Sequence, residues 1–521
     1  MTATGEMGGV RLAELVAALS LGIDLGFGQP MEHVVRQTWI ALRIAEHLGL
    51  DTEQRSVVYY TALLTNVGCH TDAHEQAKWF GDDIALKGDK YRYGLHGVRS
   101  AVAGLRRLGA GHPVLHRFRI GLNFALSGHQ DLDDMIARHS SMAQSVAAEL
   151  GLAPAVQAAV AAAYEQWDGK GWPGRAQGDA IPIAARVSQL AEFVEVAHRS
   201  GGLDSAVRLV RKLAGGQFDP MVASSFEAEA ADIVDGLDGG SAWSQVIGAE
   251  PVLTRPLSAD ELDQALGAIA DFVDLKSPYQ LGHGRAVAEL VRGASQRLAM
   301  DAATSRLAYR AGLAHGLGRL GVSNAIWDKG GPLGAGEWER VRLQPYLTER
   351  MLQQSPALNP IGVLAGQVRE RLDGSGYPKG LDGGTLSPAA RLLAAADVYQ
   401  AMLEPRPHRR AHSADGAAAE LRAEARTGRL DGDAVEAVLV TAGHRTSVRR
   451  DRPAGLTARE VEVLRLLARG LSSKEIAAAL VISPKTARNH IEHIYAKTGA
   501  TNRVAASRFA TKHGLLDSSP A

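Results

Sequence analysis

Between Cys69 and Asp83 the chain gathers Cys69, His70, Asp72, His74, Glu75, Asp82 and Asp83. Thiols, imidazoles and carboxylates are the usual protein ligands of transition metals. His70 and His74 stand four apart, so on a helix they would share a face and could hold an ion. A polar loop with a helix cap begun by Asp72 is the other reading of the same residues. A second set lies near the end of the sequence. Lys485, Arg488, Asn489 and Glu492 fall on one side of a helical register, while Ala487, Ile491, Ile494 and Tyr495 fall on the other. Arginine can fork onto guanine, asparagine onto adenine, and glutamate can accept from cytosine, so that polar face carries the chemistry of base reading in duplex DNA.

The composition supports such a division. The 521 residues have no net charge, but the neutrality hides an asymmetry. Residues 445–521 hold 14 Lys and Arg against 6 Asp and Glu, so this tail is +8 and the rest of the chain is −8. A basic terminal module on an acidic body points to a nucleic-acid partner for the tail. The 45% hydrophobic and 22% charged content is that of a globular protein. A single cysteine excludes a disulfide framework and cysteine-based zinc modules. No apolar run approaches the roughly 20 residues of a membrane span, and Met1 to Gly9 lacks a charged-then-apolar signal pattern. The expectation is a cytoplasmic protein. With 5% aromatics and long Ala/Leu/Arg/Glu stretches, it should be all-α.

The elements that would position the polar face can be read from caps. Thr457 followed by Glu460, and Ser472 followed by Glu475, are capping boxes opening two helices. Gly470 ends the first. Ser483-Pro484 opens a third helix that runs to Thr498, with Gly499 at its end. Thr501 is expected to cap a fourth, ending near His513-Gly514. A short helix, a tight turn and a polar-faced second helix is a geometry that enters a major groove. The stretches "LTAREVEVLRLLARGLSSKEIAAALVISPKTARNHIEHIYAKTGA" and "RVAASRFATKHGLL" closely resemble the LuxR-type DNA-binding domain over Leu456 to Leu516. The resemblance implies that Arg488, Asn489 and Glu492 contact base edges and that Lys485, Thr486 and Lys497 contact phosphates.

The body is an internal duplication. His33 to Gly68 matches His283 to Gly318 at an offset of 250, and Asp168 to Glu192 matches Asp373 to Asp397 at 205. The first copy therefore holds about 45 additional residues between Gly68 and His139. The period is far too long for a solenoid repeat. Two helical domains are expected at 10–250, with an insertion at about 69–138, and at 256–444. A linker at 445–455 and the four-helix domain at 456–516 follow. The second copy resembles an HD-GYP domain, a phosphohydrolase module best known for degrading cyclic di-GMP. "LDGSGYPKGL" carries the Gly-Tyr-Pro signature, "LGHGRAV" and "YRAGLAHGLGRLGV" match ligand-bearing helices, and "AARLLAAADVYQAMLEPRPHR" matches the helix after the signature. The first copy is a remoter relative, with "WDGKGWPG" in place of the signature.

The resemblance implies a metal cluster that activates water toward a phosphodiester. Carried over, His283 and His315 match ligand histidines and Asp397 the final ligand aspartate. The partner aspartate has become Gly316, the next histidine Gln344, the paired histidines Val368 and Arg369, and the family's lysine Arg319. In the first copy His33 and His139 survive. There the His-Asp pair is Thr65-Asn66, the later histidines are Ala163-Tyr164, and the final aspartate is Glu192. Such gutted sites should hold no metal, and Arg369 would put positive charge where a cation should sit. Loss of ligands should leave a chamber lined by Ala163, Tyr164, Gly316 and Val368 and suited to a small molecule. Its expected lining in the second copy is His283, His315, Gly316, Gln344, Val368, Arg369 and Asp397. The expectation is a DNA-binding transcription regulator with no catalytic residues, no cofactor and no membrane partner. Its degenerate modules would sense a partner or a small-molecule or lipid-like ligand, and form a homodimer on DNA. The alternative is a metal-dependent cyclic di-GMP phosphodiesterase with a DNA-binding output.

Overall fold

The fold is that of a computed structural model, which describes residues 9–93, 108, 129–237, 239, 241–445, 454, 456, 458–480, 482–512 and 515. The described residues form helices joined by turns, with isolated bridges and no β-strand. The all-α class therefore holds. Residues 1–444 pack as one compact unit and 445–521 as another.

Within the first unit the duplication is visible helix by helix. Leu12–Gly26, His33–His47, Thr52–Leu64 and the short turn Val67–His70 are followed in the second half by Ala259–Asp274, His283–Arg297, Ala302–Ala314 and Leu317–Gly321. Farther along, Pro154–Ala161 and Ile183–Leu213 answer to Asn359–Ala365 and Pro388–Leu403. Leu12–Gly26 is apolar almost all round, which marks a helix covered on every side. Its Gly22 lies against Leu320 of the other half, where a Cβ would come 2.7 Å from the leucine methyl. Reciprocally, Phe272 of Ala259–Asp274 meets the His70 ring of the first half. One core therefore runs through both halves, from Leu15 and Leu19 to Phe272 and Leu320. Each half keeps a private core as well, around Val187 and Phe226 in the first and around Val291 and Leu393 in the second.

The glycine-rich loops repeat too. Glu165 accepts from the Gly174 and Arg175 amides, and Glu370, 205 residues on, accepts from those of Lys379 and Leu381. Gly171 and Gly376 press on the backbone of these glutamates so closely that a Cβ would come within 2.4 Å of it. That approach explains the glycine in both signatures.

The tail unit has helices Ala458–Ala468, Ser473–Leu480, Pro484–Thr498 and Arg503–Lys512 around a core that includes Leu464, Ile476, Ala487 and Ile494. The Ser472–Glu475 capping box closes in both directions, at 3.4 and 2.7 Å. Ser483 accepts from the Thr486 amide at 3.0 Å, and Gly499 ends the helix at φ 68°. Asn502, not Thr501, caps the fourth helix, because its carboxamide oxygen takes the Ala505 amide. Thr457, His513 and Gly514, the middle of the insertion and most of the 445–455 linker lie outside the described residues.

Candidate functional site

In the second half, His283 opens its helix with the ring held at both nitrogens. Nδ1 donates to Glu404 at 2.9 Å, and Nε2 lies 3.2 Å from Asp397. His315 donates from Nδ1 to the Gly312 carbonyl at 2.6 Å, which aims Nε2 at Asp397, 3.5 Å away. Asp397 is fully buried on Pro388–Leu403. Its other oxygen forms an ion pair with Arg369 Nη1 at 2.7 Å. Burial opposes a charge on Asp397, yet Arg369 and the two histidines hold its carboxyl well below the usual range. Burial also pushes His315 down, toward the neutral ring.

His283, His315 and Asp397 offer donor atoms all within 4.8 Å of one another. Position 316 offers no carboxylate, and Arg319 closes over it: a Cβ on Gly316 would meet that guanidinium at 2.6 Å. Gln344 is turned away, donating to the His315 carbonyl at 2.5 Å. Val368 is sealed into the private core. The one carboxylate that remains already carries Arg369. A two-metal clamp needs ligands for both ions, and among the described residues this trio is the only group of three or more candidate ligands.

The first half reaches a similar end by other means. His33 bonds Glu195 through Nδ1 at 2.5 Å, and its Nε2 faces the Tyr91 hydroxyl. Glu192, the counterpart of Asp397, is buried and accepts from Asn66 and Tyr91. It also accepts from the Lys90 ammonium through both oxygens, at 2.8 and 2.9 Å. Lys90 donates to Asn66 as well and lies 4.9 Å from the centre of the Tyr164 ring. Burial would raise Glu192, but Lys90 and Asn66 hold it below its ordinary value. The apolar chamber expected around Ala163, Tyr164, Gly316 and Val368 is thus not open. Side-chain cations fill both copies.

The cluster between Cys69 and Asp83 is dispersed. His70 sits on the Val67–His70 turn and His74 on Ala73–Phe80, so they do not share a helix face. His70 is packed beside Phe27 and Phe272, while His74 bonds Asp328 of the second half at 2.7 Å. Asp72 makes no side-chain cap and pairs with His139. Asp82 caps Asp83–Gly88. Asp83 is buried between Lys87 and Lys276 and accepts from Ser323 and Asn324. His70, His74 and Asp83 thus join the halves.

On the tail's third helix Lys485, Thr486, Arg488, Asn489 and Glu492 are exposed, while Ala487 and Ile494 are buried. Lys497 has a duty that its spacing did not show: its ammonium lies 2.7 Å from buried Glu460.

A family model for the HD domain matches residues 129–222 and 267–434, half of the chain. The protein belongs to the HD domain family. A model for bacterial regulatory proteins of the luxR family matches 454–510, so this HD protein ends in a LuxR-type helix-turn-helix. Its relatives include the 3'3'-cGAMP-specific phosphodiesterase 3 of Vibrio cholerae, 30% identical over 415 residues, which cover 78% of this chain and 90% of the relative. The 3'3'-cGAMP-specific phosphodiesterase 1 of the same organism is 31% identical over 189 residues, covering 36% of this chain and 44% of the relative. A crystal structure of a V. cholerae cyclic GMP-AMP specific phosphodiesterase aligns with a TM-score of 0.58 and 25% identity, over 84% of this chain and 99% of that one. Among the described residues no helix is long and apolar enough to cross a membrane.

Lys90, Tyr91, Glu195 and Glu404 were not found from the sequence. Asp24 and Asp274 were missed as well, although the 250-residue offset relates them. Each accepts the amide of the second residue of the next helix in its half, Val34 or Gly284.

Proposed function

We propose that this protein is a DNA-binding transcription regulator whose paired HD halves no longer hydrolyse phosphodiesters and instead hold a ligand that sets the tail's activity in a homodimer. The observation that carries this reading is the tethered cation in each half, Lys90 on Glu192 and Arg369 on Asp397. A switch of this kind requires the ligand to favour one arrangement of the tails over another. The relatives act on 3'3'-cGAMP, which makes cyclic dinucleotides the first ligands to try. The second reading, a phosphodiesterase with a DNA-binding output, draws on the surviving His283, His315 and Asp397 trio. Incubating the purified full chain with 3'3'-cGAMP or cyclic di-GMP in Mn2+ or Fe2+ decides between them. No turnover and no stoichiometric metal are expected. Chelator-sensitive hydrolysis that disappears in His315→Ala would establish the second reading.

For the tail, Arg488, Asn489 and Glu492 are proposed to read bases, and Lys485, Thr486 and Lys497 to hold phosphates. Arg488→Ala should cost about 1–3 kcal/mol on the preferred site and relax the preference at one base pair. Lys485→Ala should weaken all sequences alike and lower the salt slope by about one. Equal losses by both variants on specific and random DNA would refute the assignment.

A further inference from the structure

Arg369 is the one expected pocket residue that reaches open space. It lines a cleft of about 640 Å³ together with Arg406, Arg409, Tyr279, Trp327 and Trp338. The charges there do not balance. Asp397 answers Arg369, and Glu404 is shared between His283 and Arg406. Arg409 donates only to main-chain carbonyls and forms no ion pair among the described residues. The other charged groups on the wall, Asp328 and Lys329, are engaged by His74 and Glu337. Three guanidinium groups therefore meet two carboxylates that are already shared with histidines. The crowding is felt at Arg406, which burial and the nearby Arg319 and Arg369 push down to about 10 against the pull of Glu404. Guanidinium groups in this state seek an oxyanion, and the planar fork matches phosphate. Beside them Trp338 leaves 45% of its surface exposed, and the buried indole N–H of Trp327 has no partner. An exposed indole at the mouth of a cationic cleft is a platform for a flat ring.

We infer that this cleft binds a nucleotide, with phosphate on Arg369, Arg406 and Arg409 and the base on Trp338, and that it does so without a divalent cation. The inference rests on the reading of the second half as a ligand site. Guanidinium groups take over the phosphate-binding part of the lost metals. The first half has no equivalent, because Tyr164 stands where Arg369 does and Lys90 closes the chamber from inside.

The test is calorimetric titration of the full chain in EDTA with 3'3'-cGAMP, 5'-GMP, guanosine and inorganic phosphate. The phosphorylated nucleosides should bind, and guanosine and phosphate alone should bind about tenfold more weakly or less. Arg369→Ala and Trp338→Ala should each weaken 5'-GMP binding by about tenfold. Trp338 is exposed, so that variant answers the question even where Arg369→Ala disturbs folding. Absence of nucleotide binding in EDTA, binding that appears only with Mn2+, or binding indifferent to Trp338→Ala would overturn the inference. Turnover in Mn2+ alongside binding in EDTA would overturn the non-hydrolysing reading and leave this one standing.

Discussion

The two HD halves place a cation against the same buried carboxylate position, Glu192 in one and Asp397 in the other, but they bring it from different places. In the first half Lys90 arrives from the insertion and is enclosed by Tyr91, Tyr164 and Glu192. In the second, Arg369 belongs to the repeated element itself and keeps a quarter of its side chain at an open cleft. A flexible ammonium whose donors all point at carboxylate and amide oxygens makes a plug. A guanidinium that meets its carboxylate through one nitrogen keeps donors for something else. On the function proposed above, the difference makes the first chamber a brace and the second a receptor.

The comparison can be broken most forcefully at Lys90. Lys90→Met should cost about 3–5 kcal/mol, because it leaves Glu192 charged, buried and unpaired. Adding Glu192→Gln should recover most of that loss, as replacing both members of a buried pair often does. Arg369→Met should cost clearly less, since buried Asp397 keeps His283 and His315 beside it and either ring can take up a compensating proton. Urea unfolding of the full chain, following the body transition, measures all three. Equal costs for Lys90→Met and Arg369→Met would remove the distinction between brace and receptor.

A smaller effect separates Asp24 from Asp274. Asp274 faces Arg319 at 3.1 Å, whereas Asp24 has no Lys or Arg in ion-pair reach among the described residues and is pushed up to about 7, chiefly by burial. With its folded value above the ordinary 3.8, Asp24 keeps a proton that the unfolded chain has lost, so its contribution to stability falls as pH rises from about 4 to 7. Asp24→Asn should therefore be better tolerated at pH 8 than at pH 5 relative to the parent. Asp274→Asn strands a buried guanidinium and should cost about 3 kcal/mol at both. Thermal unfolding at the two pH values checks the pair. A pH-independent Asp24→Asn would show that this carboxyl is ionised in the folded state.

What could be read in advance was what repeats or lies close in sequence. The HD-GYP resemblance located His283, His315 and Asp397, the 250 and 205 offsets aligned them with the first copy, and the caps located the tail helices to within a residue or two. The misplaced positive charge of Arg369 was also legible, because its neighbours in the signature define its position. Lys90 was not. It lies 102 residues from Glu192, in an insertion without a counterpart, and "KGDKYRY" looks like any solvated stretch until the fold buries it. The Cys69–Asp83 cluster misled for a related reason. A spacing of four implies a shared face only if one helix continues, and here the chain turns between His70 and His74. His74 and Asp83 were then taken up by Asp328 and Ser323, far along the chain, which no local spacing reports.

The smallest predicted effect concerns how the first half touches the second. His74, on the insertion, bonds Asp328 of the cleft wall, and Asp328 in turn accepts from Ser277, also on that wall, and from Asn324. The bond to Asp328 raises His74 above its ordinary 6.5, against the effect of partial burial. A raised imidazole stabilises the fold fully below about pH 6.5 and loses that contribution as pH climbs through its folded value. The side chain is about one-third exposed, so screening limits the gain to about 0.5–1 kcal/mol. The parent should therefore lose more stability between pH 6 and pH 9 than His74→Gln, which keeps a neutral hydrogen bond but no titratable charge. Comparing the two proteins within each buffer cancels Asp24 and the buried Lys276, whose value burial pushes down to about 8. If the first half braces the second through this contact, His74→Gln should also change 5'-GMP affinity at pH 6 and leave it unchanged at pH 9. Identical melting curves and affinities at both pH values would mean that the halves touch here without influencing one another.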